Sequence, residues 1–158
     1  MSREAEKGLI GCALLGAVDD CIAAGVCEDY FAHDDNQKIW RAIEELTNEQ
    51  LPCDIATVND RLSSSNGRGV TAAHLTQCED SAPTSGNLGY WLPVVKKNAL
   101  RRLYRAKLGR LSKALEDPGL NPEELTAAFE AEILDSKTVD ARVATRKEDL
   151  RRLIEQIE

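Results

Sequence analysis

The chain has 158 residues and a formal net charge of -7, enough for one domain or a small domain with an appendage. Aromatic residues make up only 4%, so the core must be built mainly from Leu, Ile, Val and Ala, which suits packed helices better than a sheet. The acidic balance argues against a protein that coats nucleic acid non-specifically.

In chain order, Ser2 can cap a first helix over about Arg3 to Leu15, with Ala5, Leu9, Ile10, Ala13 and Leu14 on its inner side, and Gly16 ends it. A short second helix, about Ala17 to Ala24, turns Val18, Cys21 and Ile22 inward and stops at Gly25, after which Tyr30 and Phe31 read as a buried aromatic anchor. Asp34, with Gln37 at the capping-box position, is expected to cap a third helix. In that helix Ile39, Trp40, Ile43 and Leu46 recur at helical spacing toward Glu49. Pro52 breaks the chain, and Asp54 caps a fourth helix, about Ile55 to Ser63, with Ile55, Val58 and Leu62 inward. Ser64 to Gly69 is a polar loop. Asn66, Gly67 and Gly69 suggest a phosphate cradle only superficially, because no strand precedes them and no GK[ST] comes after them. Thr71 opens a fifth helix, about Ala72 to Glu79, and the segment Ser81 to Gly86 separates these five helices from a long basic one.

From Val94 the apolar residues Val95, Leu100, Leu103, Tyr104, Leu108, Leu111 and Leu115 recur in steps that favour one side of a helix. At ~1.5 Å per residue such a helix is a rod of roughly 33 Å. Lys96, Lys97, Arg101, Arg102, Arg105, Lys107, Arg110 and Lys113 cover its other faces, and no acidic residue lies between Asp80 and Glu116. Pro93 removes a backbone donor, so a kink or a fresh start is expected there, with Tyr90, Trp91 and Leu92 in a separate turn. Asp117, Pro118, Gly119 and Leu120 make a stop. Asn121, Pro122 and Glu124 then form a capped helix start, and Leu125, Ala128, Phe129 and Ile133 are the apolar face of a return helix. Glu123, Glu124, Glu130, Glu132 and Asp135 make that helix acidic where the first is basic, so the pair reads as an antiparallel helical hairpin. Asp135 to Ala144 reads as a linker, and Thr145 with Glu148 caps a final amphipathic helix carrying Leu150, Leu153, Ile154 and Ile157. A stripe that short is marginal alone and either folds back on its own domain or lies in a groove on a partner, the second being favoured by its distance along the linker.

The expected architecture is therefore all-α: a globular helical head over 1–84, a helical hairpin over 85–134, and a linker with an amphipathic helix over 135–158. Cys12, Cys21, Cys27, Cys53 and Cys78 are scattered, odd in number and without a CxxC pair. With no signal peptide and no apolar run long enough to span a bilayer, a cytoplasmic, non-membrane protein is expected. Cys27, His33 and His74 fit no zinc spacing, so no metal site is expected. No His, Ser or Cys lies in a nucleophile pattern. The acidic pairs Asp19-Asp20, Asp34-Asp35 and Glu44-Glu45 diverge on their helices, so catalysis is not expected either.

The ordered series of parts resembles the N-terminal domain and linker of a replicative DNA helicase of the DnaB type. The residues that carry the resemblance are Glu4-Ala5-Glu6, Asp29-Tyr30-Phe31, the helix with Ile39, Trp40, Ile43 and Leu46, and Asp54-Ile55-Ala56-Thr57-Val58. It continues through Pro83-Thr84-Ser85-Gly86-Asn87 with Tyr90, then Val94, Lys97 and Leu100-Arg101-Arg102-Leu103. Two departures stand out: Trp91 and Pro93 fall where that family usually continues a regular helix, and Val70-Thr71-Ala72-Ala73 replaces its usual glycine pair.

The resemblance implies a bacterial or phage assembly module that forms dimers or a hexameric collar and helps bind primase or a helicase loader. Its linker helix, through Leu150, Leu153, Ile154 and Ile157, is then expected to dock on the motor domain of an adjacent subunit. ATP and Mg belong to the motor domain of such a helicase. This chain has no GxxxxGK[ST], so no cofactor is expected for it. Its end on an amphipathic stripe, where a motor would come next, favours a fragment of a longer helicase over a stand-alone modulator. Self-association is assigned to Leu100, Leu103, Tyr104, Leu108, Leu111, Leu125 and Phe129, and an alternative nucleic-acid contact to Lys96, Lys97, Arg101, Arg102, Arg105 and Lys107.

Overall fold

Leu9 and Ile10 follow Ala5 by about one helical turn, and the first helix, α1 (Arg3–Cys12), buries all three. The structure, a computed structural model, describes residues 3–65 and 69–131. The Ser2 cap, Asn66 and Gly67, Glu132, Ile133 and Asp135, the 135–144 linker, and Thr145 and Glu148 with Leu150, Leu153, Ile154 and Ile157 lie outside the described residues. The described elements are helices and turns with no strand among them. The chain divides into two units, Met1–Leu100 and Arg101–Glu158, with the boundary inside its longest helix.

In the first unit, the helical backbone continues past Cys12, the end of α1, through a wider turn over Ala13–Ala17 that is kinked at Gly16, the residue expected to end the first helix. Gly16, at φ 107°, takes the left-handed conformation that a side chain disfavours. The wide turn keeps Ala13, Leu14 and Ala17 buried and leaves Leu15 exposed. Next comes α2 (Val18–Ala23), which buries Cys21. Phe31, fully buried, then stands 5.4 Å from the ring of Trp40, as the aromatic anchor requires.

α3 (Asp34–Asn48) begins one position earlier than Asp34 as a cap would allow. The capping position is His33, whose side chain makes no cap bond. Asp34 instead pairs with Lys38 one turn on, and the Gln37 side chain donates to the Phe31 carbonyl at 2.8 Å. The anion at this helix start comes from elsewhere in the chain. Glu6 of α1, only 5% exposed, accepts from the Ala32 N–H at 2.8 Å and from Asn36 Nδ2 at 2.8 Å, and contacts His33 Nδ1 at 3.0 Å. A carboxylate is favoured there by the positive end of the helix.

α4 (Ile55–Ser64) has the expected cap: Asp54 accepts from the Thr57 N–H at 2.9 Å, and Thr57 Oγ1 accepts from the Asp54 N–H at 3.1 Å. α5 (Ala72–Asp80) is capped by Thr71, as the sequence predicts, and buries Leu75 and Cys78. His74 of α5 completes the polar cluster begun by Glu6. Because Asn36 gives its amide N–H to Glu6, its Oδ1 is left to accept, and His74 Nε2 donates to it at 2.8 Å. Asp35 lies 3.6 Å from the same nitrogen and pairs with Arg3. Burial holds His74 below the ordinary histidine value, an effect that Asp35 opposes and that Lys7 and Arg3 reinforce. Burial pushes Asp35 the other way, but His74 and the Arg3 hydrogen bond outweigh it and leave the carboxyl below its usual range.

Two glycines of α1 permit its closest contacts. At Gly11 a Cβ would stand 2.0 Å from the Cys78 carbonyl oxygen, so α1 and α5 touch backbone to backbone. At Gly8 a Cβ would enter the Trp91 indole, 2.4 Å from Cε2. Trp91 belongs to α6 (Leu88–Leu115), which runs without interruption through Pro93, so the separate turn expected for Tyr90, Trp91 and Leu92 is not present. The physical reason is position. A proline this close to the helix start leaves one carbonyl, that of Gly89, without its helical donor, and both residues are exposed so that water can supply it. Packing of Leu88, Trp91, Leu92, Val94 and the buried Val95 into the head core stabilises these first turns.

Candidate self-association surface

Within the second unit, the apolar residues of α6 are distributed differently from those of the head. The head buries most of its Leu, Ile and Val side chains, with Leu15 and Leu51 exposed, whereas Tyr104 is 46% exposed, Leu108 61% and Leu115 67%. Leu103 and Leu111 are half-buried. Tyr104, Leu108, Leu111 and Leu115 succeed one another at steps of four, three and four, the spacing of a seam that packs against another helix. Leu100, the last residue of the first unit, is half-buried on the same helix.

The turn after α6 is built as its sequence requires. The Glu116 and Asp117 N–H groups donate to the carbonyls of Lys113 and Ala114, and Asp117 Oδ1 accepts from the Gly119 N–H at 2.9 Å. Asn121 Oδ1 then accepts from the Glu124 N–H at 2.8 Å, while Glu124 Oε2 accepts from the Asn121 N–H at 3.3 Å, a reciprocal capping box. The next helix, α7, covers residues 122–131. Leu125 on it is half-buried and Phe129 is 47% exposed. Every residue assigned to self-association thus lies on α6 or α7 and is exposed or half-buried; none is sealed in a core.

The basic set is less uniform. Lys97, Arg101 and Arg105 are exposed, and Lys96 and Arg102 are half-buried. Lys107 is 5% exposed, so it does not present its charge to a phosphate backbone and leaves the candidate nucleic-acid set. On α7 the exposed residues Glu123 and Glu130 carry the opposite sign. Among the described residues no three His, Cys, Asp or Glu side chains gather as a metal centre would require, and no helix is long and apolar enough to cross a membrane. The linker-helix residues Leu150, Leu153, Ile154 and Ile157 lie outside the described set.

Sequence reasoning missed Glu6, Asn36 and His74 as a cluster and Gly8 and Gly11 as contact points. The acidic Glu6 on an otherwise apolar helix face, four residues from Ile10 and one from Ala5, is the signal that could have marked the first.

Comparison with known proteins agrees with this architecture. Residues 1–97 match the family model described as DnaB-like helicase N terminal domain. The replicative DNA helicase DnaC of Bacillus subtilis is 31% identical over 106 residues, covering 65% of this chain and 23% of that protein. The replicative DNA helicase DnaB of Geobacillus stearothermophilus is 32% identical over 113 residues, covering 66% of this chain and 24% of that protein. The chain therefore spans about a quarter of the length of these relatives. Among solved structures, the crystal structure of the N-terminal domain of DnaB helicase from Mycobacterium tuberculosis superposes with a TM-score of 0.74 at 25% identity, covering 85% of this chain and 97% of that one. What is matched is the non-catalytic N-terminal part of these helicases, in sequence and in all-helical fold, and the chain belongs to the DnaB-like helicase N-terminal domain family.

Proposed function

We propose that this chain is the assembly and protein-interaction domain of a replicative DNA helicase, and that it associates with further copies of itself through the hairpin of α6 and α7. The observation that supports this most directly is the exposure of Tyr104, Leu108, Leu115 and Phe129 on α6 and α7, whereas the head buries most of its large apolar side chains. Burying an exposed leucine is worth ~1.5–3 kcal/mol, so a seam of several is a strong drive to associate. Dimers, or a hexameric collar built from them, are the expected states. Primase or a helicase loader is the proposed partner of the assembled collar, with the segment around Leu150, Leu153, Ile154 and Ile157 docking on a neighbouring motor domain.

The first test is solution mass by size-exclusion chromatography with light scattering over a wide concentration range. A dimer or a multiple of three subunits is expected. Leu108→Asp combined with Leu111→Asp should give a monomer whose head remains helical by circular dichroism. A double variant that keeps the wild-type mass would refute the assignment.

A second reading has its own observation. Lys97, Arg101 and Arg105 are exposed on one helix, an arrangement that can contact phosphates. The exposed acids of α7 weigh against it, while the exposed Tyr104 between Arg101 and Arg105 offers one face on which a base could stack. Titration with single-stranded and forked DNA at low salt decides: no binding in the micromolar range removes this reading.

A further inference from the structure

α6 is one helix that belongs to both units, and its two parts are held in different ways. Among the described residues, the buried apolar side chains run from Ala5 to Val95 and stop there. Leu88, Trp91, Leu92 and Val94 pack on the same core as Val95, so the first turns of α6 are fastened to the head. The second unit begins at Arg101. Over residues 101–115 the one buried side chain is that of Lys107, and the best-covered large apolar residues, Leu103 and Leu111, are only half-buried.

Local helix physics does not make up the difference. Gly109 lies within this stretch with nothing inside 4 Å of an added Cβ, so no close approach requires a glycine and only its low helix propensity is felt. Lys97, Arg101 and Arg105 are exposed at steps of four, the spacing at which like charges repel, and α6 has no acidic residue of its own to offset them. A helical stretch of roughly 12–15 residues is marginal in water unless a packed face supports it.

We propose that α6 opens from Arg101 outward while the head stays folded, so that residues 101–115 form a conditionally folded segment with an equilibrium of its own. Val95, the last buried apolar anchor, sets where opening stops. Opening disperses Tyr104, Leu108, Leu111 and Leu115, and the exposed seam is thereby switched off without any change in the head. A molecule that binds the helical form shifts the equilibrium toward it, whatever that molecule is. The inference therefore stands apart from the self-association reading.

The test is native-state hydrogen exchange of the full chain, resolved to peptides by mass spectrometry, with one mild variant in each unit. In the wild type, amides of residues 101–115 should exchange at least about 100-fold faster than the buried amides of α3. Gly109→Ala should slow exchange over residues 101–115 by roughly 4- to 5-fold and leave α1, α3 and α5 as they were. Ile43→Val, in the fully buried core of α3, should speed exchange there by roughly 2- to 10-fold and leave residues 101–115 unchanged. Equal protection of residues 101–115 and α3 in the wild type, or either variant moving both regions together, would overturn the proposal, because the whole chain would then open as one. Exchange over residues 101–115 that slows as concentration rises, with α3 constant, is expected if a second copy covers the seam. Fast exchange there at every concentration would sink the self-association reading and leave the opening of α6 standing.

Discussion

Gly11→Ala tests the packing on which the head depends. In α1 the Gly11 Cα faces α5 so closely that an added methyl would lie 2.0 Å from the Cys78 carbonyl oxygen and 2.9 Å from the Ala82 Cβ. Ordinary contact requires ~1.4 Å more, a displacement that must be taken up by a helix backbone and not by a flexible side chain. Overpacking of this kind costs about 1–3 kcal/mol, and the upper part of that range applies because the obstacle is main chain. Alanine returns ~1 kcal/mol through its higher helix propensity. The net expectation is a loss of about 2 kcal/mol, which in a head of this size lowers the melting temperature by roughly 10 °C. Thermal unfolding followed by circular dichroism at about 222 nm, where helix signal dominates, measures it. Gly89→Ala in α6 is the control, since nothing lies within 4 Å of a Cβ there and propensity should act alone. That variant should melt at or above the wild-type temperature. If Gly11→Ala is as stable as Gly89→Ala, then α1 and α5 do not approach as described, and the account of glycine at this site is wrong.

Two further outcomes concern the buried polar groups. His74 titrates below 6.5 when folded because of burial first, so above that pH both folded and unfolded chains hold it neutral. As pH falls through 6.5 the unfolded chain takes up a proton that the folded chain refuses, and stability is lost progressively. Asp35 adds its own contribution above 3.8 and loses it as pH falls lower still. Denaturant midpoints measured from about pH 8 to 4 should therefore decline below 6.5, and His74→Gln should flatten the first part of that decline; an unchanged slope would refute the role. Among the thiols, burial pushes Cys21 and Cys78 up to about 12 and raises Cys12, while Cys53 is only half-buried. A thiol reagent at about pH 8 should modify Cys53 in the native protein and reach Cys12, Cys21 and Cys78 only after denaturation, as mass spectrometry of labelled peptides would show.

What the sequence made legible was whatever is encoded within one helical turn. The helical period placed Leu9, Ile10, Ile39, Trp40, Ile43, Val58 and Leu62 correctly in the head core. The caps at Asp54 and Asn121 were readable because both members of each box lie three residues apart in the chain. The cap at α3 was misread for the opposite reason: its carboxylate, Glu6, comes from a helix about 27 residues earlier, and no local pattern encodes that distance. The same limit explains Gly8 and Gly11, which in a helix read as weak formers until the Trp91 ring and the Cys78 carbonyl are brought against them.

Pro93 shows the competition between levels most clearly. Local chemistry alone would break the helix, since proline in a helix interior costs about 3 kcal/mol or more. Near the start of α6 that cost is reduced to one exposed carbonyl. Against it stands the burial of Val95, with Leu88, Trp91, Leu92 and Val94 packed on the same core, and each such side chain contributes about 1.5–3 kcal/mol when fully buried. Tertiary packing on that scale exceeds the local penalty, so the helix continues. The seam beyond Arg101 is the converse case. Its spacing was equally readable, but spacing cannot distinguish a stripe that meets its own core from one that faces outward. Only the exposure of Tyr104, Leu108 and Leu115 separates them, and it marks the part of the stripe that is not spent on a core as the part the proposed self-association would use.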